Sequence, residues 1–444
     1  MKKILIIAYF YPPKGGAGVQ RTSKFAKYLT EFGHEVHVLT VNEDRKTLND
    51  DSLKEDICKG IHVHRTEFEE VKIVKKLNNL LNNKNSLSPV NTSNNQLKKS
   101  NIKSKIKSIC KKLFFKLYNF VYLPDDKKSW IDTAVKEAVK IIENEKIDVI
   151  YTTSAPYSAH LIGYKLSKQK QIKWIADFRD QWANNPFAEY GRMVEWRQKR
   201  LEKKVIHNAH KVISVSKPII EDFKLRYYDT NKEKFEIITN GYDEPDFWDI
   251  EPVEKNSIFK IIYNGTLYGR MSPENILLAI SNLIEKKKID RDKIRIEFCG
   301  NIGNAHKGKV DFFKDKYPQL ISIKNYLPHK ESLKNLMTGS AVLLIIDGGK
   351  GSRGIYTGKI FEYIRSGKPI IAIVPDGVAR DLIIKTKTGY CAYPNDIDEI
   401  EKNIYNLYTK FYKGEKLADS NLNEIKKYSR KNLSKQLSNI IEKL

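Results

Sequence analysis

Short apolar runs rich in β-branched residues alternate with helical patterns along this chain, and that rhythm narrows its possible folds more than any single motif. Seven runs come first: "KILIIAYF", "EVHVLTV", "IHVHRT", "DVIYTTS", "KWIADF", "KVISVS" and "FEIITN". A polar stretch, "DEPDFWDIEPVEKNS", separates them from "FKIIYNG", "KIRIEFCG", "ISIKNYL", "AVLLIID", "PIIAIVP" and "GYCAY". Strands that are apolar on both faces, with helices between them, belong to parallel sheets covered on both sides. The expected class is α/β, with two Rossmann-like doubly wound domains facing across a cleft. The first should cover residues 1–245 and the second residues 257–418, with a helix over 419–444 packing back across both. Ligands of such sheets bind beyond the C-terminal ends of the strands, so the cleft is the expected site.

One segment breaks the rhythm. Residues 72–128 are rich in lysine and asparagine and read as a basic insertion in the first domain. In its second half Ile102, Ile106, Ile109, Leu113, Leu117 and Val121 recur at helical spacing among lysines, a basic amphipathic helix over about 102–122. Such a helix suits an anionic membrane surface, or it buries its apolar face in its own domain.

The net charge of +25, from 79 Lys and Arg against 54 Asp and Glu, calls for an anionic partner. A nucleic acid is disfavoured, because no base-stacking recognition motif is present and the lysines concentrate in the insertion. Cys58, Cys110, Cys299 and Cys391 lack metal-ligand spacing, which points to a reducing compartment with neither zinc nor disulfides. "MKKILIIAYFYPP" has too short an apolar run for a signal peptide and reads as a buried strand. With no run near the roughly 18 apolar residues of a membrane span, the chain is expected in the cytoplasm.

Four loops carry chemistry. "FYPPKGGAGVQR" follows a strand and opens a helix, so Gly16 and Gly18 allow a ligand to approach the helix start. It is not a strict G-x-G-x-x-G, since Arg21 stands where the last glycine would be, and a turn without a ligand fits it too. "WIADFRDQW" sets Asp177, Arg179, Asp180 and Trp182 at a strand end. There carboxylates can accept sugar hydroxyls or a proton and an indole can stack on a sugar, or Asp and Arg simply tie the loop down. "YNGTLYGR" places Gly265 and Thr266 at a strand end with Arg270 beyond. In "GSRGIYTGKIFEYIRSGKPIIAIV" a loop with Thr357, Gly358 and Lys359 runs into a short helix that carries Glu362 one turn along. Cleaving a sugar–diphosphate bond builds charge on the leaving phosphate, and cations with backbone N–H groups stabilise it without a metal. Glu362 would then accept the hydroxyls of a nucleotide ribose. Lys359 and Glu362 are also i,i+3 neighbours, as in an ordinary surface pair.

Together "YFYPPKGGAGVQR", "TTSAPYSAHL", "WIADFRDQW", "NGYDEPDF", "YNGTL" and "TGKIFEYIRSGKPIIAI" resemble, in order and spacing, the bacterial family 4 (group 1) retaining glycosyltransferases of the GT-B fold. The resemblance spans nearly the whole chain. It implies that Glu362 binds the donor ribose, that Arg270 contacts the diphosphate, and that Asp177 lies near the anomeric carbon. It implies base contacts by the backbone near Leu327 in "NYLPHK". It further implies transfer from a nucleoside-diphosphate sugar to a cell-surface glycan or lipid-diphosphate-linked acceptor, with no metal and no cofactor. Two departures stand out. Gly354 replaces the first of two glutamates eight residues apart, and Asn275 replaces a lysine five residues after the arginine, so Lys359 is the candidate for the missing charge. An epimerase or hydrolase of the same fold, or an inactive homologue, remains compatible with the pattern.

Overall fold

A computed structural model describes residues 1–42, 50, 53, 56–68, 122–185, 190–251, 257–349 and 351–444. Most of the 72–128 insertion, including all but the last residue of the basic segment 102–122, lies outside the described residues.

The first seven runs become β1 (Lys3–Ile7), β2 (Glu35–Val41), β3 (Ile61–Thr66), β4 (Val149–Ser154), β5 (Lys173–Phe178), β6 (Lys211–Ser214) and β7 (Phe235–Ile237). They form one parallel sheet in the order β3-β2-β1-β4-β5-β6-β7. The next six are β8 (Phe259–Asn264), β9 (Ile294–Cys299), β10 (Ile321–Lys324), β11 (Ala341–Ile345), β12 (Ile370–Ile373) and β13 (Gly389–Ala392). Their sheet, also parallel, runs β10-β9-β8-β11-β12-β13. Both orders reverse direction beside their first strand, at β1/β4 and β8/β11, which is where doubly wound sheets open a crevice.

Helices cover both faces because each carries an apolar stripe. In α1 (Ala17–Glu31), Phe25, Ala26 and Leu29 lie in the core beneath one face of the first sheet. In α2 (Trp130–Glu145), Trp130, Ile131, Ala134, Val135, Ala138, Ile141 and Ile142 lie in the core beneath the other. Among the described residues the first domain also has α3 (Ser158–Lys170), α4 (Arg192–Asn208) and α5 (Lys217–Arg226). In the second domain α6 (Glu274–Glu285), α7 (Asn304–Lys316), α8 (His329–Met337), α9 (Lys359–Arg365), α10 (Val378–Thr386) and α11 (Ile397–Lys413) play the same part.

The chain crosses between domains twice at one place. The outgoing strand passes Gly241 and Tyr242, and the returning one follows α12 (Leu422–Lys426) into α13 (Arg430–Glu442). Tyr242 N–H donates to Tyr428 O and Arg430 N–H to Tyr242 O, at 3.1 and 2.7 Å. A Cβ on Gly241 would sit 2.2 Å from the Tyr428 carbonyl oxygen, so this crossing needs glycine for space. Helix α13 then lies on α1, with Leu433, Leu437 and Ile441 buried among first-domain residues. At roughly 1.5–3 kcal/mol per fully buried aliphatic side chain, those three do much to hold the second domain against the first.

Candidate active site in the interdomain crevice

The second-domain wall is built at the C-terminal ends of β8 and β11. Gly265, directly after β8, has φ +121, a left-handed conformation that glycine tolerates. A Cβ there would lie 2.9 Å from Lys359 Nζ, so the missing side chain is the space the lysine occupies. The ammonium also sits 3.9 Å from the centre of the Tyr263 ring. Burial lowers the Lys359 pKa to about 7, with Glu362 acting weakly in the other direction. Near neutrality Lys359 is therefore poised between its two protonation states, and an incoming phosphate would draw a proton onto it.

Glu362 stands one turn along α9, which is a short helix. Its Oε1 lies 2.9 Å from Nε2 of His329, the first residue of α8. His329 was not singled out in the sequence, where "YLPHK" gives no hint of a partner 33 positions away. Burial pulls its pKa down, but Glu362 and Asp246 outweigh that and leave it above the ordinary histidine value. His329 also borders a cavity of about 160 Å³ lined by Lys24, Leu53, Asp56, Pro245 and Trp248. The carboxylate is thus held by the His329 imidazole, a contact that a ribose would have to share or displace.

The other predicted donor-side residues surround this pair. Thr357 Oγ1 is buried with no hydrogen-bond partner among the described residues, and Gly358 is exposed at the start of α9. Thr266 is exposed beside Gly265. Leu327 is half-buried in the loop before α8, flanked by exposed Asn325 and Tyr326. Arg270 is further out: it pairs through Nε with Asp347 Oδ2 at 2.5 Å after β11, and its guanidinium lies against Gly349. Asn275 donates to the Pro394 carbonyl at 2.5 Å and is occupied in holding that loop. Gly354 faces the first domain, where its carbonyl accepts from Ser216 Oγ at 2.9 Å.

On the first-domain wall, several of the residues expected at the site are bonded or packed against the protein itself. Asp177 is fully buried and receives a two-pronged ion pair from Arg21, at 2.9 and 2.8 Å, and a hydrogen bond from Thr153 Oγ1 at 2.9 Å. Burial works to raise its pKa, but Arg21 and its hydrogen bonds more than reverse this and hold the carboxyl below its ordinary value. In this arrangement both of its oxygens are bonded to protein groups. Trp182 is also fully buried, stacked on Tyr157 at 4.7 Å with Nε1 donating to Gln198 Oε1 at 2.7 Å. Both faces it could offer a sugar are packed away. Arg179 donates to the carbonyls of Ser154, Ala155 and Gly18, tying the β4 exit to the start of α1. Gly18, expected to let a ligand approach, instead makes room for that guanidinium, with a hypothetical Cβ 3.3 Å from Arg179 Nη1. Asp180 and Gly16 are exposed.

A charge network joins the two walls. Lys24 of α1 lies 2.8, 2.6 and 3.0 Å from Asp56, Asp243 and Asp246, and Asp246 Oδ2 is 3.9 Å from His329 Nδ1. The Asp50 carboxylate also accepts from the His329 backbone N–H at 3.2 Å. Arg430 at the head of α13 is a further charged residue here, with no motif around it in the sequence. It is buried, and its Nη1 has no partner among the described residues. Burial and then the nearby Arg21 lower its pKa to about 10.

Residues 109–244 match the sequence profile of Glycosyltransferase Family 4. Solved structures of similar shape include a glycosyltransferase from Rickettsia africae ESF-5, with 16% identity, TM-score 0.61 and coverage of 100% of this chain and 98% of that one. Another is Anabaena Alr3699/HepE in complex with UDP-glucose, with 13% identity, TM-score 0.62 and 100% of both chains covered. This chain has the GT-B fold. WaaG, a glycosyltransferase involved in lipopolysaccharide biosynthesis, is similar at 12% identity and TM-score 0.55 over 99% of each chain. No curated protein sequence matches the chain. In GT-B terms, the Lys359–Glu362–His329 group lies on the second-domain wall of the crevice, and the Arg21–Asp177 pair lies beneath the first.

Proposed function

We propose that this chain transfers a hexose from a nucleoside-diphosphate sugar to a cell-surface glycan or lipid-diphosphate-linked acceptor, with retention at the anomeric carbon. The observation that carries this reading is the pairing of Lys359 and Glu362 at the end of β8, a cation for phosphate and a carboxylate for ribose, one helical turn apart. Glu362 accepts the ribose hydroxyls. Lys359, with Arg270 once it is released from Asp347, balances the charge on the diphosphate as the glycosyl–oxygen bond breaks. The acceptor hydroxyl attacks from the face the diphosphate leaves, and its proton passes to the departing phosphate oxygen, which yields glycoside and nucleoside diphosphate. No step requires a metal or a protein nucleophile. The enzyme supplies orientation and charge.

HepE's complex with UDP-glucose makes UDP-hexoses the first donors to try. Incubating the chain with each candidate donor and an acceptor, and reading the product anomer by NMR, tests the proposal. An α-donor giving an α-glycoside supports it. An inverted product refutes retention, and donor turnover without an acceptor turns the reading towards an epimerase or hydrolase. We further place the basic segment 102–122 against an anionic membrane surface, on the strength of its lysine-flanked apolar spacing. Among the described residues no helix is long and apolar enough to cross a membrane. Absence of the chain from floated anionic liposomes at low salt would remove that placement.

A further inference from the structure

Far from the crevice, at the N-terminal edge of the first sheet, four side chains able to bind metal share one face. Glu35 and His37 alternate along β2, and His62 and His64 alternate along the edge strand β3. The parallel register sets His37 beside His62, and their rings stack at 4.7 Å. One ligand atom from each of Glu35, His37 and His62 lies within 4.8 Å of the other two. His37 Nε2 is 3.0 Å from Glu35 Oε1, while its Nδ1 is 3.1 Å from His64 Nε2.

We propose that Glu35, His37 and His62 form a zinc-type divalent metal site, with His37 binding through Nε2 and His64 holding its Nδ1–H. Two imidazoles and a carboxylate with a fourth position open to water are a donor set that zinc accepts. The His64 contact is the outer partner that fixes the tautomer and the ring plane of a metal-bound histidine. His37 is buried and held in place, whereas His62 is exposed, so an ion enters from solvent onto a partly built site. Lys3 is the competitor, with Nζ 3.0 Å from the Glu35 carboxylate. It must swing away, and its exposure allows this. A bound ion would tie the edge strand β3 to β2. This role is separate from sugar transfer and does not depend on it.

The test is titration of the full chain with zinc chloride by calorimetry, and with cobalt chloride by visible absorption. One saturating equivalent should bind and raise the melting temperature, and cobalt should give bands of nitrogen and oxygen ligation without thiolate charge transfer. His62→Ala, at an exposed position that the fold does not need, should weaken binding at least tenfold. Lys3→Gln should tighten it several-fold by freeing the carboxylate. The proposal is overturned if the wild-type chain shows no saturable binding, if His62→Ala titrates like wild type, or if cobalt reports cysteine ligation.

Discussion

The two walls of the crevice carry motifs of the same kind, a strand end followed by charged and aromatic residues, yet the structure uses them in opposite ways. On the first-domain side Asp177, Arg179 and Trp182 are turned inward, and their polar atoms are bonded to protein groups. On the second-domain side Lys359 is half-buried, its ammonium set against glycine and an aromatic ring, and desolvation rather than a partner sets its pKa. A satisfied ion pair holds a fold together. A desolvated charge lacking full compensation is ready for a ligand. That difference separates scaffold from site here, and it can be tested from both sides.

The largest effect should come from the scaffold. Arg21 spans α1, β5 and the exit of β7, giving hydrogen bonds to Asp177 and to the carbonyls of Ile238 and Thr239. Asp177→Ala leaves that guanidinium buried without its counter-ion, which costs about 3–5 kcal/mol. Urea unfolding should show a loss of this size whether or not nucleotide is present. If the variant instead keeps its stability and loses turnover, Asp177 belongs with the catalytic residues after all.

Glu362→Gln should do the reverse. Swapping the carboxylate for an amide weakens two charge-assisted bonds to ribose and should cut kcat/KM by about a hundredfold. Since Glu362 is partly exposed beside His329, the melting temperature should move little. A melting-temperature drop as large as that of Asp177→Ala would place Glu362 with the scaffold.

This contrast also shows what the sequence could convey. Every strand among the described residues, and the sheets they form, was readable, because two-sided burial in a parallel sheet writes continuous apolar runs such as "AVLLI". Glu362 and Lys359 could be singled out as candidates because loop, helix start and charge are contiguous in "TGKIFE". The burial of Asp177 was not legible because its partner, Arg21, lies 156 residues away, and an aspartate at a strand end reads alike whether buried or open. His329 and Arg430 were missed for the same reason, since each gains meaning only from elements distant in the chain. Trp182 shows the limit for aromatics: only its stacking on Tyr157 and bond to Gln198 reveal that no face is left for a sugar.

Lys359 should give an effect of intermediate size with a distinctive pH signature. Its pKa is about 7 in the free chain and rises when a diphosphate binds, so above neutrality the complex takes up a proton. Affinity for a nucleoside diphosphate should then fall as pH rises above about 7, by at most tenfold per unit. Calorimetry in buffers of different ionisation enthalpy should register the proton directly. Lys359→Met should bind roughly tenfold more weakly at pH 7 and lose both the slope and the proton uptake. An unchanged slope in that variant would show that another group titrates.

The smallest effect, and the finest test, concerns His329. Its pKa lies above the unfolded value, so the pair with Glu362 stabilises the fold fully below about pH 6.5 and ceases to do so as pH rises through the folded pKa. Lys359 behaves oppositely. Its lowered pKa costs stability at acid pH, and the cost disappears as pH climbs from about 7 towards its unfolded value. His329→Gln should therefore remove a falling component from the stability–pH curve and Lys359→Met a rising one. The His329 component should be about 1 kcal/mol or less, because the pair keeps some contact with water. Donor affinity gives the sharper reading. If His329 orients Glu362 towards ribose, His329→Gln should weaken donor binding several-fold while leaving binding of inorganic diphosphate unchanged. Equal weakening of both ligands would mean that His329 acts on the phosphates, and the division of labour along α9 would need to be redrawn.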